Sequence, residues 1–169
     1  MSTVHGLARL NALPVADAEA ALTACCAAPA WVARVLADRP YAGADALRST
    51  VDAAFDALSW PDVEAALAGH PRLGQRAVGA DRAAAWSAGE QAGVGAGSAA
   101  ERDALAAGNA AYERRFGRIY LACATGRSAA ELVDLLRARL GNDEATERAV
   151  VRRELRAITQ LRLAKLLAP

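Results

Sequence analysis

Lysine and methionine each occur once in the 169 residues, and histidine, phenylalanine and isoleucine twice each. With aromatic side chains at only 5%, the core must be filled by smaller groups. The two histidines (His5, His70) and three cysteines (Cys25, Cys26, Cys123) have none of the close spacings that bind zinc, which excludes a zinc centre of the usual kind. An odd number of cysteines, two of them adjacent, is also poor material for a disulfide framework, so all three read as reduced, buried hydrophobes. No apolar run reaches the roughly 18 residues of a membrane span. The opening MSTVHGLARLN lacks the basic start and apolar stretch of a secretory signal, so the expectation is a cytoplasmic protein with no membrane partner. An excess of one charge is missing too: 20 basic against 19 acidic side chains leave a net +1, no field to gather nucleic acid.

What the chain has in quantity is alanine, 46 residues of it, interleaved with leucine and valine. Alanine leads the helix scale, and β-branched residues are too scarce to build a large sheet. Without repeats, charge blocks or a linker longer than Gly93 to Ser98, the expected architecture is all-α, one domain forming a compact bundle of seven or eight helices. Pro14 and Asp17 open a helix that runs to Cys26, Pro29 starts another over Ala30 to Asp38, and a third spans Ala44 to Leu58. Ser59-Trp60-Pro61 begins a short helix ended by Gly69, and helix resumes near Asp81 until Gly93. Ser98 with Glu101, and Ser128 with Glu131, are capping boxes for helices closed by Gly117 and Gly141, and Asn142 is placed to cap the last helix. Between them Ile119 to Ala124 reads as a buried connector and not as a sheet.

A few residues stand out as able to carry chemistry. Pro71 pushes His70 to extended angles, so the interior histidine sits on a helix-exit elbow. It is either an acid or base working near neutrality or a cap on the preceding helix. Ser87, Glu90 and Gln91 share one helical face as i, i+3 and i+4, a grip for a polar ligand or a solvated surface. Arg162, between two leucines, needs a partner if buried: Glu90, a structural acid or a substrate carboxylate. Arg114, Arg115 and Arg118 cluster at a helix C-terminus, where a structural role suffices.

The stretches His70-Pro71-Arg72-Leu73-Gly74, Ser87-Ala88-Gly89-Glu90-Gln91, Asn109 to Gly117 and Leu161-Arg162-Leu163 together resemble the 2-oxo-4-hydroxy-4-carboxy-5-ureidoimidazoline (OHCU) decarboxylase family of purine catabolism. Leu10-Asn11, Cys25-Cys26, Trp31, Arg39-Pro40 and Gly126-Arg127-Ser128 extend the likeness over nearly the whole chain. The resemblance implies an all-helical homodimer that turns the ureidoimidazoline into (S)-allantoin and carbon dioxide with no metal or other cofactor. A ureide-binding sensor on the same fold is the alternative. The resemblance also implies roles: His70 as proton donor, Glu90 and Arg162 as its catalytic partners, and Pro71, Ser87, Ala88, Gly89 and Gln91 as substrate contacts. The backbone of Tyr120, Leu121, Ala122, Cys123 and Ala124 would line the pocket. One departure, Arg118-Ile119 where many relatives carry an aromatic residue and proline, makes the pocket mouth more cationic.

Overall fold

A helix begins where side chains can accept the first-turn N–H groups that have no partner within the helix. In the computed structural model, which describes residues 2–75 and 79–168, ten helices follow one another along the chain. They are α1 (Ser2–Ala12), α2 (Val15–Cys25), α3 (Pro29–Ala37), α4 (Ala44–Asp56), α5 (Trp60–Leu67), α6 (Arg82–Glu90), α7 (Ala92–Gly95), α8 (Ala99–Phe116), α9 (Ala129–Arg139) and α10 (Glu144–Leu166). Among the described residues there is no strand, and no helix is long and apolar enough to cross a membrane. Ser59, Ser98 and Ser128 each close a capping box, with Asp62, Glu101 and Glu131 as the reciprocating acids. Asp81 caps α6 through the Ala84 N–H at 2.8 Å. Gly117 ends α8 in the left-handed region at φ 68°, where a side chain would be strained.

The fold is all-α as expected, with ten helices in place of seven or eight. The first addition is α1, whose Leu7 and Leu10 are buried and whose Gly6 lies against the Leu167 backbone. Tertiary packing stabilises a segment that carries little local helix signal. The second is α7: Gly93 does not end the helical path, because Gln91 closes α6 and opens α7 while Val94 is buried. The cap of α10 is Asp143, which accepts from the Thr146 N–H at 2.7 Å. Asn142, expected in that role, instead donates its amide to Glu147 at 2.8 Å.

The chain forms two compact units, Met1–Gly69 with Ile158–Pro169, and His70–Ala157, the boundary falling inside α10. The first is built on Leu10, Leu22, Cys25, Trp31, Val35 and Leu47, all buried. Several residues of the family resemblance are its fastenings. The Asn11 amide donates to the Tyr41 carbonyl and accepts from the Tyr41 N–H, both at 2.9 Å, and Arg39 donates to the Asn11 and Leu13 carbonyls. The Tyr41 hydroxyl donates to Val35 O at 2.7 Å.

The second unit packs α8 against α9 around Leu105, Tyr112, Tyr120, Leu132 and Leu136. Within this apolar cluster lies an ion pair. Arg139 donates from Nε and Nη2 to Glu147 Oε1 at 2.9 and 2.6 Å, and the Tyr112 hydroxyl donates to the same oxygen at 2.5 Å. The Glu147 side chain is 0% exposed and that of Arg139 7%. Breaking a buried pair leaves a charge without compensation. Glu147→Ala is therefore expected to lower the unfolding free energy by about 3–5 kcal/mol, measured by urea denaturation. A loss below about 1 kcal/mol, the range of an exposed pair, would contradict the burial.

Candidate active site

The elbow after α5 is held by side chains from two helices. Past His70, which is half-buried, the Leu73 carbonyl accepts from Asn109 Nδ2 at 2.9 Å, and the Gly74 N–H donates to Gln91 Oε1 at 2.8 Å. Arg72 makes a two-pronged pair with Glu113, its Nη2 reaching Oε2 at 2.9 Å. That guanidinium holds the Glu113 carboxyl below its usual range. Gly74 has φ 86°, a conformation other residues reach only with strain. Asn109 and Glu113 come from α8 and Gln91 from the end of α6, so the loop that carries His70 is fixed to both.

On α6 the polar face is not a solvated surface: Ser87 is 4% exposed, and Glu90 and Gln91 are half-buried. Ala88 and Gly89 are exposed, and a methyl placed on Gly89 would meet nothing within 4 Å. Gln91, expected to bind substrate, gives its amide oxygen to the loop of His70.

The connector Tyr120 to Ala124 is a buried segment outside any helix, as expected, with Cys123 half-buried. Its main chain is gripped from three sides. Leu121 O accepts from Arg139 Nη1 at 2.7 Å, the Cys123 N–H donates to Glu154 Oε2 at 2.9 Å, and Ala124 O accepts from the Arg127 N–H at 3.0 Å. The Tyr120 hydroxyl reaches Leu132 O at 3.3 Å, and burial pushes it up to about 12. Burial also raises the Tyr112 hydroxyl, reinforced by its bond to Glu147. The Cys123 thiol is raised by burial first and by the Glu154 and Glu90 carboxylates, which makes it a poor nucleophile.

A hollow of about 420 Å³ opens next to Glu90, lined by Gly89, Glu101, Thr125, Arg127 and Ser128 among others. Arg127 is ion-paired with Glu154 at 3.3 Å. His70, Ser87, Glu90, Gln91 and the connector thus belong to one compact unit. Arg162 belongs to the other, 3% exposed, where its Nη1 donates to the Ala24 carbonyl at 3.1 Å. There Cys25 and Cys26 are buried, and burial raises the Cys26 thiol, outweighing the opposing hydrogen bonds with Ala28 and Thr159. Of the arginine cluster at the end of α8, Arg115 donates to Asn142 O and Arg118 pairs with Glu144 at 3.0 Å, structural roles as expected. Among the described residues no three of His, Cys, Asp and Glu gather as a metal would need.

Sequence reasoning missed Arg139, Glu147 and Glu154. The signal was periodic: Glu147 and Glu154 fall on the same α10 stripe as the buried Val151 and Ile158, and Arg139 continues the stripe of Leu132 and Leu136 on α9. A charge on an apolar stripe is a buried charge seeking a partner.

Known proteins resemble the chain in sequence and in fold. A family model described as OHCU decarboxylase matches residues 11–164. The 2-oxo-4-hydroxy-4-carboxy-5-ureidoimidazoline decarboxylase of Amia calva is 34% identical over 140 residues, covering 80% of this chain and 78% of that protein. The uric acid degradation bifunctional protein TTL of Arabidopsis thaliana is 28% identical over 145 residues, 84% of this chain but only 45% of that longer protein. A crystal structure of OHCU decarboxylase in the presence of (S)-allantoin superposes with TM-score 0.73 at 28% identity, covering 86% of this chain and 95% of that one. A crystal structure of (S)-allantoin synthase, at TM-score 0.70 and 16% identity over 95% of this chain and 53% of that one, shares the fold.

One contact beside the hollow admits a direct test. A methyl on Gly93 would collide with the Arg127 carbonyl, whereas one on Gly95 of the same helix meets nothing within 4 Å. Gly93→Ala is expected to lose about 1–3 kcal/mol to overpacking and Gly95→Ala to be neutral or stabilising, read by thermal or urea denaturation. Equal stability of the two variants would contradict the close approach.

Proposed function

The chain belongs to the OHCU decarboxylase family, and we propose that it converts 2-oxo-4-hydroxy-4-carboxy-5-ureidoimidazoline to (S)-allantoin and carbon dioxide. The observation that carries this reading is the hydrogen bond from the Gly74 N–H to Gln91 Oε1, 2.8 Å. It ties the loop of His70 to the helix of Ser87 and Glu90, two distant stretches that the chemistry needs together. Glu90 lines the same hollow as Thr125, the residue directly after Ala124, which supports the connector as a third wall.

The substrate supplies its own electron sink. When the bond to the carboxylate carbon breaks, the pair it leaves is taken up through the neighbouring ring C=N, whose nitrogen is protonated. The ring carbon bearing the ureido group then gains a proton on one face as the adjacent hydroxyl gives up its own and becomes the carbonyl of allantoin. No cofactor enters this scheme. The protein has to orient the carboxylate out of the ring plane, stabilise the charge that moves into the ring, and deliver the proton stereospecifically. In this proposal His70 is the acid, Glu90 holds the imidazolium or binds ureido N–H groups, and Ser87 with main-chain groups of Tyr120 to Ala124 takes the amide edges. Pro71, Ala88 and Gly89 flank the substrate. Gln91 holds the loop through its amide oxygen, and its NH₂ is the group proposed to meet the substrate. Arg162 neutralises the substrate carboxylate. Its grip must orient without over-stabilising the group that leaves, since only contacts stronger in the transition state raise the rate.

The proposal includes a homodimer in the cytoplasm, on the family resemblance. It also treats the two compact units as one functional domain, for which the family match through both, over 11–164, is the support.

His70→Ala and Glu90→Ala are expected to fold normally and to lose roughly 10²- to 10⁴-fold in decarboxylation rate, followed spectroscopically on freshly generated substrate. Wild-type rates in both would reject the assignment. Tight ureide binding by the wild-type protein with no turnover would point to a sensor instead.

A further inference from the structure

Two side chains, neither assigned a part in the chemistry, hold consecutive peptide groups of the connector. Arg139 Nη1 donates to Leu121 O at 2.7 Å, and Glu154 Oε2 accepts from the Cys123 N–H at 2.9 Å. Ala122 lies between the two bonds. A trans peptide is planar, with its C=O and N–H pointing in opposite directions. Fixing the Leu121 carbonyl therefore sends the Ala122 N–H away from Arg139, and fixing the Cys123 N–H sends the Ala122 carbonyl away from Glu154. A methyl side chain brings no chemistry of its own. What this residue presents is one main-chain donor and one acceptor, each with a set direction.

The anchors are themselves braced beyond what packing requires. Arg139 stands 4.7 Å over the Tyr120 ring and is held by Glu147. Glu147 in turn accepts from Tyr112 at 2.5 Å and from Asn142 at 2.8 Å. Glu154 is braced by Arg127 at 3.3 Å. An interior of alanine, leucine and valine gains nothing in packing from two buried carboxylates. Fixing the direction of a peptide plane is something they do and an apolar side chain does not.

We infer that Arg139 and Glu154 are positioning residues that aim the Ala122 N–H and C=O at an amide edge of the ureide substrate, where an N–H stands beside a C=O. This rests on the decarboxylase reading and adds residues that act on the substrate only through the main chain. Loss of one such anchor weakens ground-state and transition-state binding alike, so it appears in KM and much less in kcat.

The test is steady-state kinetics on freshly generated ureidoimidazoline, with thermal melting alongside, for wild type, Glu154→Ala and Glu154→Gln. Glu154→Ala is expected to raise KM roughly tenfold, the scale of one hydrogen bond, with kcat little changed. Glu154→Gln keeps an acceptor for the Cys123 N–H while losing the charge that pairs with Arg127, and is expected to restore KM. If Glu154→Ala does not fold, Glu154→Asp, one methylene short of the Cys123 N–H, should raise KM in the same way. A Glu154→Ala protein that melts lower with unchanged KM, a loss confined to kcat, or a Gln variant as impaired as the Ala variant would each overturn the inference and leave the decarboxylase reading intact. Absence of turnover in the wild-type protein would overturn both.

Discussion

A guanidinium and a carboxylate closed off from water inside an alanine-rich core set the terms for the second compact unit. Arg139 and Glu147 have lost their hydration, and the cost is offset only because nearly every polar atom finds a partner: Tyr112, Asn142 and the Leu121 carbonyl complete the set. The pair draws together α8, the connector, the end of α9 and the first turn of α10 at one point. Apolar packing alone tolerates sliding. A network with fixed donor and acceptor directions does not, and the segment that lines the candidate site inherits that fixity.

Small side chains make the arrangement possible. With few large hydrophobic residues, helices approach closely, and Gly108 of α8 sits so near Leu136 of α9 that a methyl there would overlap it. The aromatic residues are spent where they do most. Tyr112 packs tilted against Phe116 at 4.7 Å and edge-to-face with Tyr120 at 5.3 Å, and the Arg118 and Arg139 cations lie over the Phe116 and Tyr120 rings. Scarcity of lysine leaves these tasks to arginine, whose planar fork serves Glu147 and a carbonyl at once.

Local chemistry was legible in the chain. Ser59, Asp81, Ser98 and Ser128 start the helices they were expected to start, because a cap acts within three residues of itself. The Ser87 to Gln91 face and the connector were legible by spacing and composition. What escaped depends on distant partners. The helix α1 exists because Leu7 and Leu10 find a core, and Asp143 outcompetes Asn142 as a cap because Asn142 is drawn to Glu147. The structural work of Gln91, and of Asn11 and Arg39 in the other unit, is visible only once their acceptors and donors are in place. Several residues that carry the family likeness, Asn11 and Arg39 among them, are therefore fastenings of the scaffold.

The chemistry asked of this scaffold is modest in kind and demanding in geometry, since the substrate decays unaided and the protein has only to hasten and direct its protonation. Handedness of the product is the property no unaided decay supplies. The decisive measurement is circular dichroism of allantoin formed from fresh ureidoimidazoline with purified protein, beside a protein-free control. The account predicts an optically active signal of the S enantiomer that grows faster than the control decays. A racemic product formed at the control rate would contradict it.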